Sequence, residues 1–197
     1  MSECKSMKQS ANQLKPFLPA LYFVLRFVAL YVAGNLLYGW MVSSYDPAPD
    51  PVTRVIAGQT SVILDFSGFP SAIKDSSTLP NVMLSWNSRN VLAIYEGCNG
   101  LNVMIIFLAF ILAMGPYVKR MWWFIPAGLS VIHIMNLARI FGLFMVAVYL
   151  PEQFYFVHKY LFTAFLYVIV FLIWVLWIRI ERRDSLNLET TRHEKKD

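Results

Sequence analysis

The chain has 197 residues, of which 57% are hydrophobic and 15% are charged, and its mean hydropathy is +0.51. This composition excludes an ordinary soluble globular protein, and the length excludes an assembly of several domains. The net charge of +5 does not indicate a nucleic-acid partner, because the basic residues cluster beside long apolar runs. The sequence therefore predicts an integral membrane protein whose first partner is the lipid bilayer.

Four apolar runs are long enough to cross a membrane, which takes about 20 mostly apolar residues in a helix. They cover residues 17–42, 98–118, 121–150 and 159–178. The first run is longer than the apolar core of about 7–15 residues in a signal peptide, and it contains Arg26, so an uncleaved helix is favoured over a cleaved signal. The predicted fold class is an all-α integral membrane protein with about four transmembrane helices.

The distribution of basic residues predicts the orientation of these helices. Eleven Lys and Arg residues flank the ends that we assign to the cytoplasm, against four on the opposite side, and cytoplasmic segments carry the excess of positive charge. Both termini are therefore predicted to be cytoplasmic. The expected organisation is a cytoplasmic tail, one membrane-embedded domain with an extracytoplasmic loop, and a charged cytoplasmic tail, over residues 1–16, 17–178 (loop 43–97) and 179–197.

The extracytoplasmic loop over residues 43–97 contains two regular patterns. Apolar residues near helical spacing over residues 52–66 predict a short amphipathic helix on the membrane surface. Residues 67–80 have no such pattern and are expected to be irregular. Two apolar stretches, residues 82–86 and 91–95, flank four polar residues and predict a β-hairpin with a four-residue turn.

Three reactive side chains fall at one depth of the predicted bundle. Cys98 lies 20 residues before the end of its run and His158 20 residues before residue 178, and 20 residues of helix span about 30 Å, the thickness of the hydrocarbon core. Arg139 lies 18 residues, or about 27 Å, past residue 121. All three therefore fall at the extracytoplasmic boundary, and residues 140–150 are left to tilt, extend outward or bend back.

Cys98 is the candidate nucleophile. A helix N-terminus favours the thiolate form of a cysteine, and its N–H groups can stabilise an oxyanion. The neighbouring Gly97 and Gly100 allow a close approach of the backbone. The alternative is that Cys98 is a small apolar residue in the helix packing. The second cysteine, Cys4, falls in the cytoplasmic tail, so no disulfide is expected.

His158 and Arg139 supply the groups that a cysteine nucleophile needs. Imidazole is the usual base because it exchanges protons near neutral pH, although an interfacial histidine can also be a simple polar anchor. A guanidinium is costly inside an apolar run, so Arg139 is expected to hold a substrate carboxylate, stabilise the thiolate or donate to an oxyanion. Asn136, one turn before it, can orient it. The alternative for Arg139 is a structural ion pair with Glu96 or Glu152.

The same residues form three ordered motifs. They are Cys98-Asn99-Gly100 at the start of a membrane helix, Asn136-Leu-Ala-Arg139-Ile140 in the next run, and His158 before the last run. With these motifs in this order, roughly residues 95–177 resemble the exosortase/archaeosortase family, and most of all the short, exosortase F-like forms of Bacteroidetes-type bacteria. The chain differs from the long family members in lacking most of their N-terminal spans and in carrying the loop over residues 43–97.

The resemblance implies a membrane cysteine protease or transpeptidase in the bacterial cytoplasmic membrane, with its active site on the extracytoplasmic face. The implied substrates are exported proteins whose C-terminal signal consists of a short motif, a membrane helix and a basic cluster. Cys98 is then the nucleophile that forms a thioester, His158 the general acid and base, and Arg139 the electrostatic partner. Neither a cofactor nor a metal is expected. The implied supporting residues are Glu96, Gly97, Asn99, Gly100 and Asn136.

Two other functions are compatible with the pattern. One is a non-catalytic membrane subunit for assembly or export, in which the polar residues are structural. The other is a thiol-redox membrane protein. Such proteins usually have a second nearby thiol, whereas the segments assigned to the extracytoplasmic side contain Cys98 alone.

Overall fold

The computed structural model describes residues 17–76, 79–115 and 120–194, with side chains up to residue 183. The predicted N-terminal tail, residues 1–16, lies outside the described residues. The described chain is mostly helical and contains one small antiparallel sheet. Its helices are α1 (Leu18–Ser43), α2 (Pro51–Phe66), α3 (Leu101–Met114), α4 (Met121–Tyr149) and α5 (Phe162–Glu194), and its strands are β1 (Ser71–Asp75), β2 (Asn81–Trp86) and β3 (Arg89–Tyr95).

Within the described residues, three helical segments are long and apolar enough to cross a membrane. They are α1, α4 and the stretch Pro151–Arg183, which passes through short helical turns into α5. Residues 116–118 of the predicted span over residues 98–118 lie outside the described residues; in the described part, α3 has 14 residues, or about 21 Å of helix against a hydrocarbon core of about 30 Å. It starts after a separate turn and ends before Gly115, whose φ of +42° lies outside the helical region.

The helix α4 is continuous over 29 residues, or about 44 Å, although Pro126 lies in its first half. Residues 140–149 continue α4, so of the three paths considered for residues 140–150 the structure excludes bending back. The last turns of α4 contact α2 and β3, and they bury Ile140, Leu143 and Phe144 there. The extension therefore connects the long helices with the segment over residues 43–97.

That segment folds as α2 packed on the sheet, whose strand order is β1-β2-β3. In the hairpin of β2 and β3, Val82 pairs with Ile94 and Leu84 with Leu92, and all four side chains are buried. The residues between them are only half-buried. Because a shift by one residue would expose this apolar set, burial of one face specifies the register of the hairpin.

Two details of this segment differ from the sequence prediction. The hairpin turn has two residues and not four, because Arg89 and Asn90 already pair with β2. The two turn residues, Asn87 and Ser88, both have a positive φ, which is typical of two-residue turns. The strand β1 lies in the stretch that was expected to be irregular. Its side chains are largely exposed at the edge of the sheet, so no apolar alternation marks it in the sequence.

The helix α2 begins at an N-cap residue. The Asp50 carboxylate accepts hydrogen bonds from the N–H groups of Val52 and Thr53, both at 3.0 Å. One face of α2 is buried against the sheet and α4, and its apolar members are Ile56, Ala57 and Leu64. This buried face of α2 covers the sheet, whereas Val55, Val62 and Phe66 of the predicted apolar stripe are exposed, so contact of that stripe with the membrane surface stays a prediction.

The buried apolar residues form two separate clusters. The first joins α2, the hairpin and the last turns of α4, and it includes Cys98. The second joins α3, the first half of α4 and α5 around Phe107, Ile132 and Trp177. Cys98 thus belongs to the first cluster and lies where the chain leaves the sheet and continues towards α3.

Candidate active site

Cys98 is held by a short turn between the sheet and α3. It is the last residue of the 3₁₀ turn Glu96–Cys98 and is 5% exposed. The helix α3 begins only at Leu101, whose N–H donates to the Asn99 side-chain oxygen at 3.0 Å. The sequence prediction that Cys98 is the first residue of the helix is therefore wrong by three positions, and the Leu101 N–H is not directed at the sulfur.

His158 lies beside the thiol. It belongs to the π-helical turn Val157–Leu161, and its Nε2 is 3.7 Å from the Cys98 Sγ. The imidazole is stacked on the ring of Phe154, one helical turn earlier, with ring centroids 5.7 Å apart and planes 3° from parallel. The stacking limits rotation of the imidazole, so the ring presents one nitrogen to the sulfur. The sequence contains Phe154 four residues before His158, which is the spacing of neighbours on a helix.

Arg139 approaches the thiol from α4. Its Nη2 is 3.9 Å from the Cys98 Sγ, and its Nη1 donates to the Asn136 side-chain oxygen at 3.2 Å. The side chain is 6% exposed, and within the described residues its Nε has no hydrogen-bonding partner. In that part of the chain Arg139 makes no ion pair with Glu96 or Glu152, the structural alternative considered from the sequence. A buried guanidinium with a free donor therefore faces the sulfur.

Asn136 connects the guanidinium to the backbone of the cysteine. Its side-chain amide donates to the carbonyl oxygen of Cys98 at 3.1 Å, and the residue is fully buried. Asn136 also packs on Gly100, where an added Cβ would lie 2.9 Å from the Asn136 Cγ. Gly100 has a φ of +80°, so both its backbone conformation and this close approach favour glycine. The motif residues Cys98, Gly100, Asn136 and Arg139 thus form one contact group.

Asn99 anchors the turn to two other helices. Its side-chain amide donates to the Tyr38 hydroxyl at 2.8 Å and to the Thr53 hydroxyl at 3.2 Å. The Tyr38 hydroxyl in turn donates to the carbonyl oxygen of Glu96 at 3.0 Å, and the Thr53 hydroxyl donates to the Asp50 carboxylate. Glu96 therefore contributes through its backbone to the support of the cysteine turn.

Sequence analysis did not select Tyr38, Thr53 or Asp50. They lie at least 46 residues before Asn99 in the chain, and the bonds between Asn99 and these helices span 61 and 46 residues. Asp50 followed by Pro51 is a recognisable helix-start pattern. That pattern locates the N-cap of α2, but it does not indicate that the same carboxylate supports the turn at Cys98.

Tyr95 is a second residue that sequence analysis missed. Its ring covers Gly97, where an added Cβ would lie 2.5 Å from the ring, so Gly97 is required for this close contact. The negative charge of a deprotonated Cys98 and partial burial raise the pKa of Tyr95 above its ordinary value. The phenol therefore stays protonated and can donate a hydrogen bond beside the sulfur. Its position three residues before Cys98, at the end of β3, is the one indication in the sequence.

The thiol and the imidazole share a cavity of about 190 Å³. Apolar side chains of β3 and α4 form most of its lining, and Cys98, His158 and Tyr95 lie at one end. Within the described residues, no group of three or more His, Cys, Asp or Glu side chains is arranged to hold a metal ion. The reactive groups in the lining of this cavity are a thiol, an imidazole and a phenol, and the Arg139 guanidinium contacts the same thiol from α4.

Comparison with protein families identifies the family of this chain. Residues 18–177 match the family model described as Transmembrane exosortase (Exosortase_EpsH), which covers most of the chain. The chain belongs to the transmembrane exosortase family. Membership identifies a multi-pass membrane protein of a sorting-transpeptidase family. A search of curated proteins and a search of solved structures each gave no match.

The match begins at the start of α1 and ends within α5, so it includes α2 and the sheet as well as the three motifs. The segment over residues 43–97 is thus part of the family domain in this exosortase. The narrower resemblance to the short Bacteroidetes-type forms stays a prediction.

Proposed function

We propose that this exosortase is a membrane cysteine transpeptidase or protease that cleaves the C-terminal sorting signals of exported proteins through a thioester on Cys98. The observation that carries the proposal is the pair of contacts at the sulfur. The Cys98 Sγ lies 3.7 Å from the His158 Nε2 and 3.9 Å from the Arg139 Nη2. A nucleophile in contact with both a base and a fixed cation is the arrangement that activates a thiol for acyl transfer.

In the first step, His158 removes the proton of Cys98, and the thiolate attacks the carbonyl carbon of the scissile peptide bond. The carbonyl π electrons move to oxygen and form a tetrahedral oxyanion. The oxyanion then collapses, the C–N bond breaks, and the imidazolium of His158 gives its proton to the departing amine. The products are a thioester at Cys98 and the released C-terminal signal. The proton of the thiol has passed through His158 to the amine, so the imidazole is neutral again.

In the second step, an acceptor with an N–H or O–H group attacks the thioester. His158 takes the proton of the acceptor, the C–S bond breaks, and the thiolate returns. Arg139 has two roles in this scheme: it stabilises the thiolate, and its Nε is the available donor for the oxyanion. The bond from Asn136 to the Cys98 carbonyl holds the cysteine backbone in place while the charge changes.

The proposal places the site at the extracytoplasmic face of the bacterial cytoplasmic membrane. Support comes from the basic residues. Eleven Lys and Arg residues flank the helix ends opposite the site, against four on the side of the site, and the side with the excess is cytoplasmic. In this orientation the apolar run over residues 98–118 is the fourth crossing proposed from the sequence, and α2 and the sheet lie outside. A substrate inserted by its own C-terminal helix then presents its scissile bond at the depth of Cys98.

The proposal is tested with an exported reporter protein that carries a C-terminal motif, membrane helix and basic cluster from the same genome. Co-expression with the wild-type chain should shorten the reporter, and Cys98→Ser should abolish the shortening while leaving the protein inserted and abundant. Cys4→Ser is the matched control and should process normally. A reporter shortened equally by Cys98→Ser would exclude the thioester and favour a non-catalytic export subunit.

A further inference from the structure

The strand β3 is the edge of the sheet that faces the site. The order β1-β2-β3 leaves one side of β3 without a neighbouring strand. Among the residues that the structure describes, the backbone of β3 has hydrogen-bonding partners in β2 only. Such an edge is a template for pairing with another extended chain.

The hydrogen bonds of β2 show which residues of β3 face outward. The Ser76 N–H donates to the carbonyl of Asn81, the residue opposite it in the register, at 3.0 Å. Asn81 therefore directs its backbone groups to the side of β1, and because they alternate along a strand, the next residue, Val82, directs its groups to β3. Its partner Ile94 faces β2, which leaves the N–H and C=O groups of Ala93 and Tyr95 facing outward.

A groove follows this outward edge up to the catalytic end of the strand. The cavity of about 190 Å³ is lined by five consecutive strand residues, 91–95, and by Ile140 and Leu143 of α4. A second cavity of about 560 Å³ continues past Val91 to the hairpin turn and reaches Ala147 of α4. Positions 140, 143 and 147 lie on one face of a helix. The groove is therefore bounded by the edge of β3 on one side and by one face of α4 on the other.

We propose that the segment of the substrate next to the scissile bond binds in this groove as an extended strand paired with the outer edge of β3. The proposal rests on the proposed function and adds the conformation in which the substrate is recognised. Backbone hydrogen bonds to Ala93 and Tyr95 supply the register, and the apolar wall of α4 contacts every second side chain of the substrate. The strand ends at Tyr95, three residues before Cys98, so the paired segment leads directly to the thiol.

The shape of the groove favours an extended peptide over a compact ligand. The cavity at the thiol is smaller than the roughly 300–1,000 Å³ of pockets that enclose small molecules. A helical substrate is disfavoured as well, because its backbone N–H and C=O groups are already paired with each other and cannot pair with an edge strand. The transmembrane part of the sorting signal is accordingly expected to be helical only beyond the scissile bond.

The test attaches probe peptides to the thiol in the full chain carrying Cys4→Ser, so that Cys98 is the one cysteine. The probe is an acetylated hexapeptide of alternating Val and Thr whose C-terminal cysteamine bears a 2-pyridyl disulfide. Two further probes carry N-methyl groups on the even or on the odd positions, and each set removes the N–H groups of one edge of the peptide. The measured quantity is the concentration of 2-mercaptoethanol that releases half of each peptide.

Pairing with β3 predicts that one methylated probe is released at about tenfold lower reductant concentration, while the other behaves like the unmethylated peptide. In Ala93→Pro the pairing with β2 is kept, but the proline ring replaces the outward N–H and blocks the outer edge to a further strand, so the difference should disappear. Ile73→Pro is the matched control. The backbone N–H and C=O groups of Ile73 also face outward, but from β1, at the opposite edge of the sheet. The difference between the two methylated probes should therefore persist in this variant.

Equal release of the two methylated probes, or an unchanged difference in Ala93→Pro, would overturn the proposal. The reporter assay separates this result from a failure of the proposed function. Normal reporter processing without a difference between the probes refutes strand pairing alone. A clear difference between the probes with an unprocessed reporter supports strand pairing and refutes the sorting activity. A Cys98 that does not react even with methyl methanethiosulfonate contradicts both.

Discussion

The side-chain amide of Asn136 donates a hydrogen bond to the carbonyl oxygen of Cys98 at 3.1 Å, across 38 residues of sequence. The same side chain accepts a hydrogen bond from Arg139, so one residue of α4 positions both the cysteine backbone and the guanidinium that faces its sulfur. Asn136 is therefore a positioning residue, and its contribution can be separated from that of the groups that take part in the chemistry.

We expect Asn136→Ala to lower reporter processing by about 10–100-fold. The substitution leaves the Cys98 carbonyl and one nitrogen of Arg139 without partners in a buried site, and each unpaired group costs about 1–3 kcal/mol. Gel-shift rates at equal protein levels give the measurement. The control is Asn35→Ala, because the Asn35 side chain donates within α1, to the carbonyl of Tyr31, and among the described residues it has no bond to the site. A rate within twofold of wild type for Asn136→Ala would contradict the positioning role.

Arg139→Lys should reduce processing by at least tenfold, although the charge is kept. The guanidinium contacts the Asn136 oxygen and the Cys98 sulfur with two different nitrogens, and a single ammonium cannot reproduce this fork. Arg26→Lys is the matched control, since the exposed Arg26 lies over the Tyr22 ring, 4.6 Å from its centroid, where an ammonium binds as well. Equal activity of both variants would show that Arg139 supplies charge alone.

His158→Gln is expected to slow alkylation of Cys98 by iodoacetamide and to abolish reporter processing. Glutamine keeps a polar side chain near the sulfur, but it cannot accept the proton of the thiol. His133→Gln, at a half-buried position in the membrane part of α4, is the control and should leave both rates unchanged. Alkylation and processing that survive in His158→Gln would show that His158 is not the base.

Gly100→Ala should abolish processing and lower the unfolding temperature. Two effects are combined in this variant: a positive φ, which costs an L-residue about 1–2 kcal/mol, and a Cβ that would lie 2.9 Å from Asn136. Gly68→Ala separates them, because Gly68 has a φ of +86° and no neighbouring atom within 4 Å of an added Cβ. If the unfolding temperature falls equally in the two variants, backbone strain, and not contact with Asn136, is the reason that position 100 requires glycine.

Several features of this protein follow from the sequence alone. The apolar runs indicate a membrane protein, the ordered motifs indicate the family, and counting along the runs places Cys98, Arg139 and His158 at one depth. The membrane class and the family are confirmed. The three side chains that were counted to one depth lie in contact in the structure, as the constant rise per residue of a helix allows, and their depth in the membrane stays a prediction. The hairpin is predictable for a similar reason, since alternation along a strand has a fixed period.

Only the tertiary structure decides which side chains meet at that depth. The contacts of Arg139 and His158 with the thiol depend on how α4 and the stretch leading into α5 rotate about their axes, and rotation is set by packing between distant residues. The Tyr38 bond to the Glu96 carbonyl spans 58 residues, and neither residue has a pattern that predicts the other. The edge strand β1 and the late start of α3 escape prediction for the same reason, because each depends on neighbours that the local sequence does not specify.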